Sequence, residues 1–365
     1  MIDSHGHPIT DAGGPLDLSS INVQLVTDDE SRAERARTSP SRLSHELLGV
    51  RLASYLGCEV EDVPAARAEA SRDWPQYVRG LFMSANLRGL VLDPGWNLDA
   101  TTAAADSFAT MVGCPVRPIL RLEPMVDRLI AAGAGAQEIL AAVEQAMRDA
   151  PAAGYFGFKT IIAYRTGLAV EPEADLAAAD LSLKATAKLD VRRRGKALRD
   201  LVLRRALGWA AELQLPVQIH TGYGDSEIRL GEANPLLLEE LLRTPEGLAA
   251  TIILIHGSYP WHEELAFLTL AKPNVHAELS EFNLHTVATV TDRLERVLEL
   301  APAARVLCGT DGHGAPETYW LGAILIQEAW ARLRERWAGQ GARQSWLAEV
   351  EAAIMEGNTA RLYRF

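Results

Sequence analysis

Eight short apolar runs punctuate this chain, and several of the stretches between them carry helical periodicity. The runs occupy residues 1–7, 87–96, 116–123, 156–164, 215–224, 250–260, 274–282 and 304–314. Apolar strands that alternate with helices imply crossover connections and a parallel sheet. Residues 137–149 place Ile139, Leu140, Val143 and Met147 at helical spacing, and residues 192–213 do the same with Leu198, Leu201, Leu203, Leu207 and Ala211. The arginine run Arg192–Arg193–Arg194 opens that second stretch and reads as a solvated face. Residues 320–337 and 345–355 read as closing helices. Eight parallel strands in this order predict an α/β fold of the (β/α)8 TIM-barrel type. Two stretches exceed a simple barrel: residues 11–86, with a polar start around 28–41, and the Ala/Asp/Glu-rich residues 170–190. Both follow strand ends, so both are expected as helical insertions walling the C-terminal face of one barrel domain, 1–365.

Composition narrows the partners. Of 365 residues, 48% are hydrophobic, enough for one large buried core. The 48 acidic residues outnumber 36 basic ones, for a net charge of −12, which argues against nucleic acid or an anionic membrane as partner. A small-molecule substrate is expected, and a homodimer only as the commonest oligomer. Cys58, Cys114 and Cys308 are far apart and form no CxxC pair, as in a reducing compartment. With no apolar leader or membrane-length run, a cytoplasmic location is expected.

The chemistry lies where polar residues end the apolar runs. His5 and His7 are two apart on a strand and therefore share a face. Lys159 interrupts FGFKTII, His220 ends the fifth run, His256 the sixth and Asp311 the eighth. In a barrel these positions converge at the mouth. Each is costly to bury alone, and one shared divalent metal (zinc, manganese or iron) would partner them all. Singly, each has a plainer reading: a structural histidine, a lysine paired to a carboxylate, an Asp-Gly turn. Together they favour a metal site. His45, His262, His276 and His285 lack that support. Substrate-contact candidates are Arg165 after strand four, Arg121 and Glu123 at the end of strand three, Tyr223 after strand five, and His313 beside Asp311. Arg165 fits a substrate carboxylate or an ion pair, and Arg121 with Glu123 a substrate-binding pair or a mutual salt bridge.

The segments IDSHGHP, QIHTGYGD, ILIHGSYPW and GTDG resemble the amidohydrolase superfamily, in its amidohydrolase-related branch. FKTIIAYRTGL and GTDGHGAPETYW are similar to the barrel portion of fungal and plant proteins in which it is fused to a glutamine-synthetase-like domain. The resemblance runs over nearly the whole chain, which leaves no room for the fused domain and suggests a stand-alone form starting directly on strand one. It implies that His5, His7 and Asp311 hold one metal and that His220 and His256 hold a second, with Lys159 carboxylated as a bridge. The one-metal variant uses the His pair, His220 and Asp311, with His256 polarising the substrate. The implied reaction is hydrolysis of a C–N bond by metal-activated water, Asp311 carrying the proton. A γ-glutamyl amide substrate is an analogy with the fused relatives. The same branch holds decarboxylases resembling aminocarboxymuconate-semialdehyde decarboxylase, which makes a lyase the second reading, and a non-catalytic scaffold is the third.

Overall fold

The structure, a computed structural model, describes residues 1–21, 29–95 and 102–365. The ends of two expected segments, Asp28 and Trp96, lie outside the described residues. All eight apolar runs form strands. They are Ile2–Ile9, Gly89–Leu92, Val116–Pro118 (resuming as Leu120–Arg121), Phe158–Thr160, Val217–His220, Ile252–Ile255, Val275–Leu279 and Val306–Cys308 (resuming as Gly312–Gly314). Every pairing is parallel, each strand beside its neighbour in sequence.

Two strands break, and each break passes the ladder around the ring. In strand three the Ile119 N–H bonds the Leu92 carbonyl, while the Leu120 N–H bonds the Gly157 carbonyl on the other side. In strand eight Gly309 still bonds strand seven at Leu279, but the Asp311 N–H bonds the His5 carbonyl at 2.9 Å. Gly312 then pairs with Gly6, so the last strand meets the first.

The strands are shorter than the apolar runs because chemistry takes over at their C-terminal ends. After Thr160 the backbone turns into a 3-10 segment, Ile162–Tyr164, whose first N–H is caught by Thr160 Oγ1. The expected helix at 192–213 starts at Lys196, since Gly195 takes φ +69 and Val191–Arg193 is a separate turn. The arginine run is therefore not a solvated helix face. Arg193 donates to the Arg165 carbonyl at 2.6 Å and Arg192 pairs with Glu227, which ties this loop to the barrel mouth. The closing helix begins earlier than its periodicity suggested, at Pro316.

The segment after strand one is helical, with Leu43–Leu56, Val63–Ala70 and Trp74–Ser84 its longer pieces apart from Asp29–Thr38. Arg67 anchors it. The guanidinium, fully buried, bonds Glu317 at 2.8 Å, Asp11 at 2.5 Å and the Gly14 carbonyl. Tyr77 adds a hydroxyl to the same Glu317 carboxylate. A charged group at zero exposure persists only when its partners are this complete, so the insertion is pinned beside the closing helix. The second expected insertion contains Leu176–Ala185, which packs on the helix Lys196–Leu213. No helix among the described residues is long and apolar enough to cross a membrane.

Candidate metal centre

The strand ends deliver His5, His7, Lys159, His220, His256 and Asp311 to one end of the barrel. All but His5 line a cavity of about 500 Å³, whose wall also carries Arg121, Tyr164, Asp225, Glu227, Glu281 and His313. That size suits a small polar ligand. His5 is fully buried beneath it.

Ligand-type atoms of His5, His7 and Asp311 all lie within 4.8 Å of one another. Asp311 Oδ1 is 3.3 Å from His5 Nε2 and 3.4 Å from His7 Nε2. His7 Nδ1 lies 2.9 Å from the Asp93 carbonyl, which can only accept, so that nitrogen carries the N–H. The other ring nitrogen of His7, Nε2, is the one that faces the Asp311 oxygen. Asp311 Oδ1 is buried and makes no hydrogen bond among the described residues. Lone pairs converging on one buried point call for a cation between them, and two imidazoles with a carboxylate are an ordinary donor set for a divalent metal. The residues fit such an ion.

Backbone and neighbours enforce this arrangement. Asp311 is held at φ +54, in the left-handed region, at the seam between strands eight and one. Gly6, between the two histidines, and its register partner Gly312 both lie against the Tyr319 ring, where a Cβ on either would collide. The Tyr319 hydroxyl bonds the His7 carbonyl. The glycines of HGH and DGH therefore exist to let this ring fix the metal-facing strands.

Electrostatics follow from burial. Desolvation pushes His5 down to about 3, with Lys159 adding to the effect. Burial works to raise the Asp311 carboxyl, and the neighbouring His256, His5 and His7 lower it in so far as they carry a proton. Lys159 is lowered to about 8, by desolvation against the pull of Asp93, and its Nζ is 3.2 Å from His5 Nε2.

Two roles were expected of His256, metal ligand or polariser of the substrate, and its hydrogen bonds bear on the choice. Ser280 Oγ donates to Glu278 at 2.7 Å, so it accepts from His256 Nδ1 at 2.9 Å. Burial keeps this imidazole neutral. Its Nε2 therefore offers a lone pair, which suits ligation and not donation to a substrate carbonyl. His220 is buried on the wall, but its Nε2 is 3.1 Å from the Tyr223 carbonyl and donates there.

Three of the predicted substrate contacts lie off the wall. Arg165 is fully buried, its Nε on Asp127 at 3.0 Å, because the helix Glu123–Ala131 presents that carboxylate beneath strand four. Glu123 turns to Thr160 Oγ1, 2.5 Å away. Tyr223 packs edge-on to Tyr259 and His285. Arg121 does line the cavity, yet it forms no pair with Glu123; it binds Asp93 through two nitrogens, the shorter contact 2.6 Å. His313 lines the cavity with Nδ1 on the Asp311 carbonyl.

Sequence reasoning missed Asp93 and Glu281. Both are acidic residues just past a strand end, the same signal that singled out Asp311. Glu281 stands at φ +59 and ψ −59, and desolvation raises its carboxyl well above the usual range.

The geometry can now be set beside known proteins. The chain is similar to Protein fluG of Emericella nidulans, 33% identical over 221 residues, covering 57% of this chain and 25% of that protein. It thus spans about a quarter of the curated relative it matches. A crystal structure described as a candidate metal-dependent hydrolase from Lactobacillus casei superposes with a TM-score of 0.87 at 24% identity, covering 100% of this chain and 95% of the other. Uronate isomerase from Thermotoga maritima shares the fold at a TM-score of 0.69 and 12% identity, covering 100% and 94%. The profile of the family described as Amidohydrolase matches residues 2–365, from the strand that carries both histidines to the last helix. With the parallel barrel and its convergent mouth in place, the chain belongs to the amidohydrolase family.

Proposed function

We propose that this chain is a metal-dependent hydrolase that cleaves an amide-type C–N bond of a small, carboxylate-bearing substrate, using one or two divalent ions, zinc before manganese or iron. The observation that carries this reading is the convergence of His5, His7 and Asp311, with lone pairs facing one another in a buried pocket. A bound divalent ion supplies Lewis acidity, which lowers the pKa of water and polarises a carbonyl.

The side chains supply the rest. Asp311, its Oδ1 set beside His5 and His7, accepts the proton of the attacking water and passes it to the departing nitrogen. Arg121, braced by Asp93, offers cationic surface on the cavity wall to a substrate carboxylate. Lys159 serves in one of two forms. As an ammonium it faces the charge that develops on the carbonyl oxygen. As a CO2 adduct, whose formation its lowered pKa favours, it would bridge two ions.

The test is chemical. Protein purified without chelator is assayed for metal content and intact mass, then for hydrolysis of a panel of small amides that includes γ-glutamyl amides. Chelation should abolish turnover and added Zn²⁺ or Mn²⁺ should restore it. Turnover indifferent to chelator and metal content would reject the reading. Release of CO2 in place of an amine would move the chain to the decarboxylase class.

A further inference from the structure

Tyr164 and Asp225 follow strands four and five and meet on the cavity wall, where the chemistry above gives neither a role. The Asp225 N–H donates to the Tyr164 hydroxyl oxygen at 2.9 Å. The phenolic hydrogen must then point elsewhere, and no described residue accepts it. Tyr164 is 8% exposed, and its ring centroid is 4.5 Å from that of His220. Gly224 makes this approach possible, because a Cβ there would collide with the Tyr164 hydroxyl. Burial keeps the phenol protonated. The wall thus holds a hydrogen-bond donor that is fixed in place and left with nothing to bond.

The acidic side chains at the mouth can be sorted by what faces them. Glu227 pairs with Arg192 at 2.6 Å, and Asp93 with Arg121. Glu281 and Asp311 lie with His256 at the histidine end. Asp225 is left over. Its backbone is fixed at both ends, the N–H on Tyr164 and the carbonyl on the Ile228 N–H, yet no described residue donates to its carboxylate or pairs with it. Burial, with Glu227 adding to it, pushes this carboxyl up to about 6. The wall therefore presents three unlike groups within electrostatic reach of one another: the Arg121 guanidinium, a phenol with a hydrogen to give, and a carboxylate that only accepts.

We propose that Arg121, Tyr164 and Asp225 form a specificity subsite for the head of a free α-amino acid, its carboxylate on the guanidinium and the phenol, its ammonium on Asp225. A lone carboxylate would leave Asp225 repelled and without a donor. A lone amine would face Arg121 and give the phenolic hydrogen no acceptor. A group with both signs on one carbon answers all three side chains. The inference rests on the hydrolase reading above and narrows its substrate. The amine must be free, since an acylated nitrogen carries no charge for Asp225. The scissile amide then lies in the side chain of that amino acid, which reaches past His220 towards His256, its ring centroid a further 4.5 Å on.

Calorimetric titration of the full chain, as purified, tests this with three related probes. L-glutamate carries the whole head, glutarate lacks the ammonium, and 4-aminobutyrate lacks the α-carboxylate; all keep the distal carboxylate. The parent should bind L-glutamate at least about tenfold more tightly than either of the others. Asp225→Asn should bind L-glutamate no more tightly than glutarate, and it should melt no lower than the parent, since it removes an anion without a partner among the described residues. Tyr164→Phe should narrow the advantage of L-glutamate over 4-aminobutyrate by about threefold or more. Equal affinity of the parent for the three probes, binding of none of them, or the parental preference in Asp225→Asn would overturn the proposal. Failure of the underlying reading is separate. The expected preferences with no amide hydrolysed would reject the hydrolase and leave the subsite standing. Faster hydrolysis of N-acyl amino acids than of side-chain amides of free amino acids would do the reverse.

Discussion

Two layers of buried polar side chains are stacked inside this barrel, and they handle their hydrogen bonds in opposite ways. In the deeper layer the two carboxylates, Asp3 and Glu278, have their donors in place. Asp3 accepts from the backbone N–H of His5 and Thr310 and from the Thr310 hydroxyl. Glu278 accepts from Ser4, Ser280 and the His256 N–H. Gln218 donates to the Ser4 carbonyl and the Tyr363 hydroxyl, and only its Oε1 lacks a partner among the described residues. The layer above it, with His7, His256, Glu281 and Asp311, keeps acceptor atoms without donors. A satisfied polar layer positions what lies on it; an unsatisfied one is built to receive something. The same residue types thus do different jobs a few ångströms apart, and hydrogen-bond accounting tells them apart where burial does not.

The sharpest way to break this contrast is at Asp311. Asp311→Asn should lower kcat by about 10³-fold or more, in the range of lost acid–base and metal function, while the unfolding free energy stays level or rises. A variant that is fully active, or one that is unfolded, would remove Asp311 from the receiving layer. The opposite signature is expected below it. Glu278→Ala strands the Ser280 hydroxyl and the His256 N–H, while Ser4 keeps the Cys308 carbonyl, and should cost about 3 kcal/mol in denaturant unfolding. A variant as stable as the parent would erase the distinction between the layers.

Metal removal sharpens the comparison further. If the upper layer is completed by an ion, saturating Zn²⁺ or Mn²⁺ at about 100 times its dissociation constant should add about 2.7 kcal/mol. In a chain of this length that raises the melting temperature by roughly 3 °C, and Asp311→Asn should abolish the rise. A metal-independent melting temperature in the parent would speak against a bound ion.

The smallest effect lies far from both layers. His276, near the start of strand seven, is lowered to about 4 by burial, with Arg361 adding to it. Its unfolded value is about 6.5. Between those values the unfolded chain takes a proton that the folded chain refuses, so the stability is complete above pH 6.5 and is lost as pH falls towards 4. Replacing His276 by Gln should recover up to about 2 kcal/mol of the acid-induced loss at pH 4.5 and change nothing at pH 8. An unchanged acid slope would assign that loss to the other lowered histidines, such as His262 and His285.

All eight strands were legible because each is an apolar run, which survives any tertiary context. Their ends were not. Phe158–Thr160 stops early because a threonine side chain turns the backbone, a choice made by one hydroxyl. The six polar strand-end residues named from the sequence do gather at one end of the barrel, since strand direction and barrel closure dictate it. Arg165 stayed open between a substrate carboxylate and an ion pair because its direction depends on Asp127, a helix residue 38 positions earlier. Glu281 was passed over because it is one of 48 acidic residues, and what marks it is a backbone angle and a distance to Asp311. Neither is written in a local pattern. Applying the strand-end rule to glutamate as well as to histidine, lysine and aspartate would have found it.

The break in strand eight has one more consequence. Asp311 bonds the backbone of His5 across the seam where the first strand meets the last, so residues 306 positions apart in sequence come together only when the ring shuts. Loop closure over that span is among the last events a folding chain can complete. A barrel with seven strands assembled would hold the paired histidines without their aspartate. Under the proposed metal-dependent reading, ion uptake would double as a clock for folding: the rate at which tight binding appears during refolding would time the closing of the ring itself.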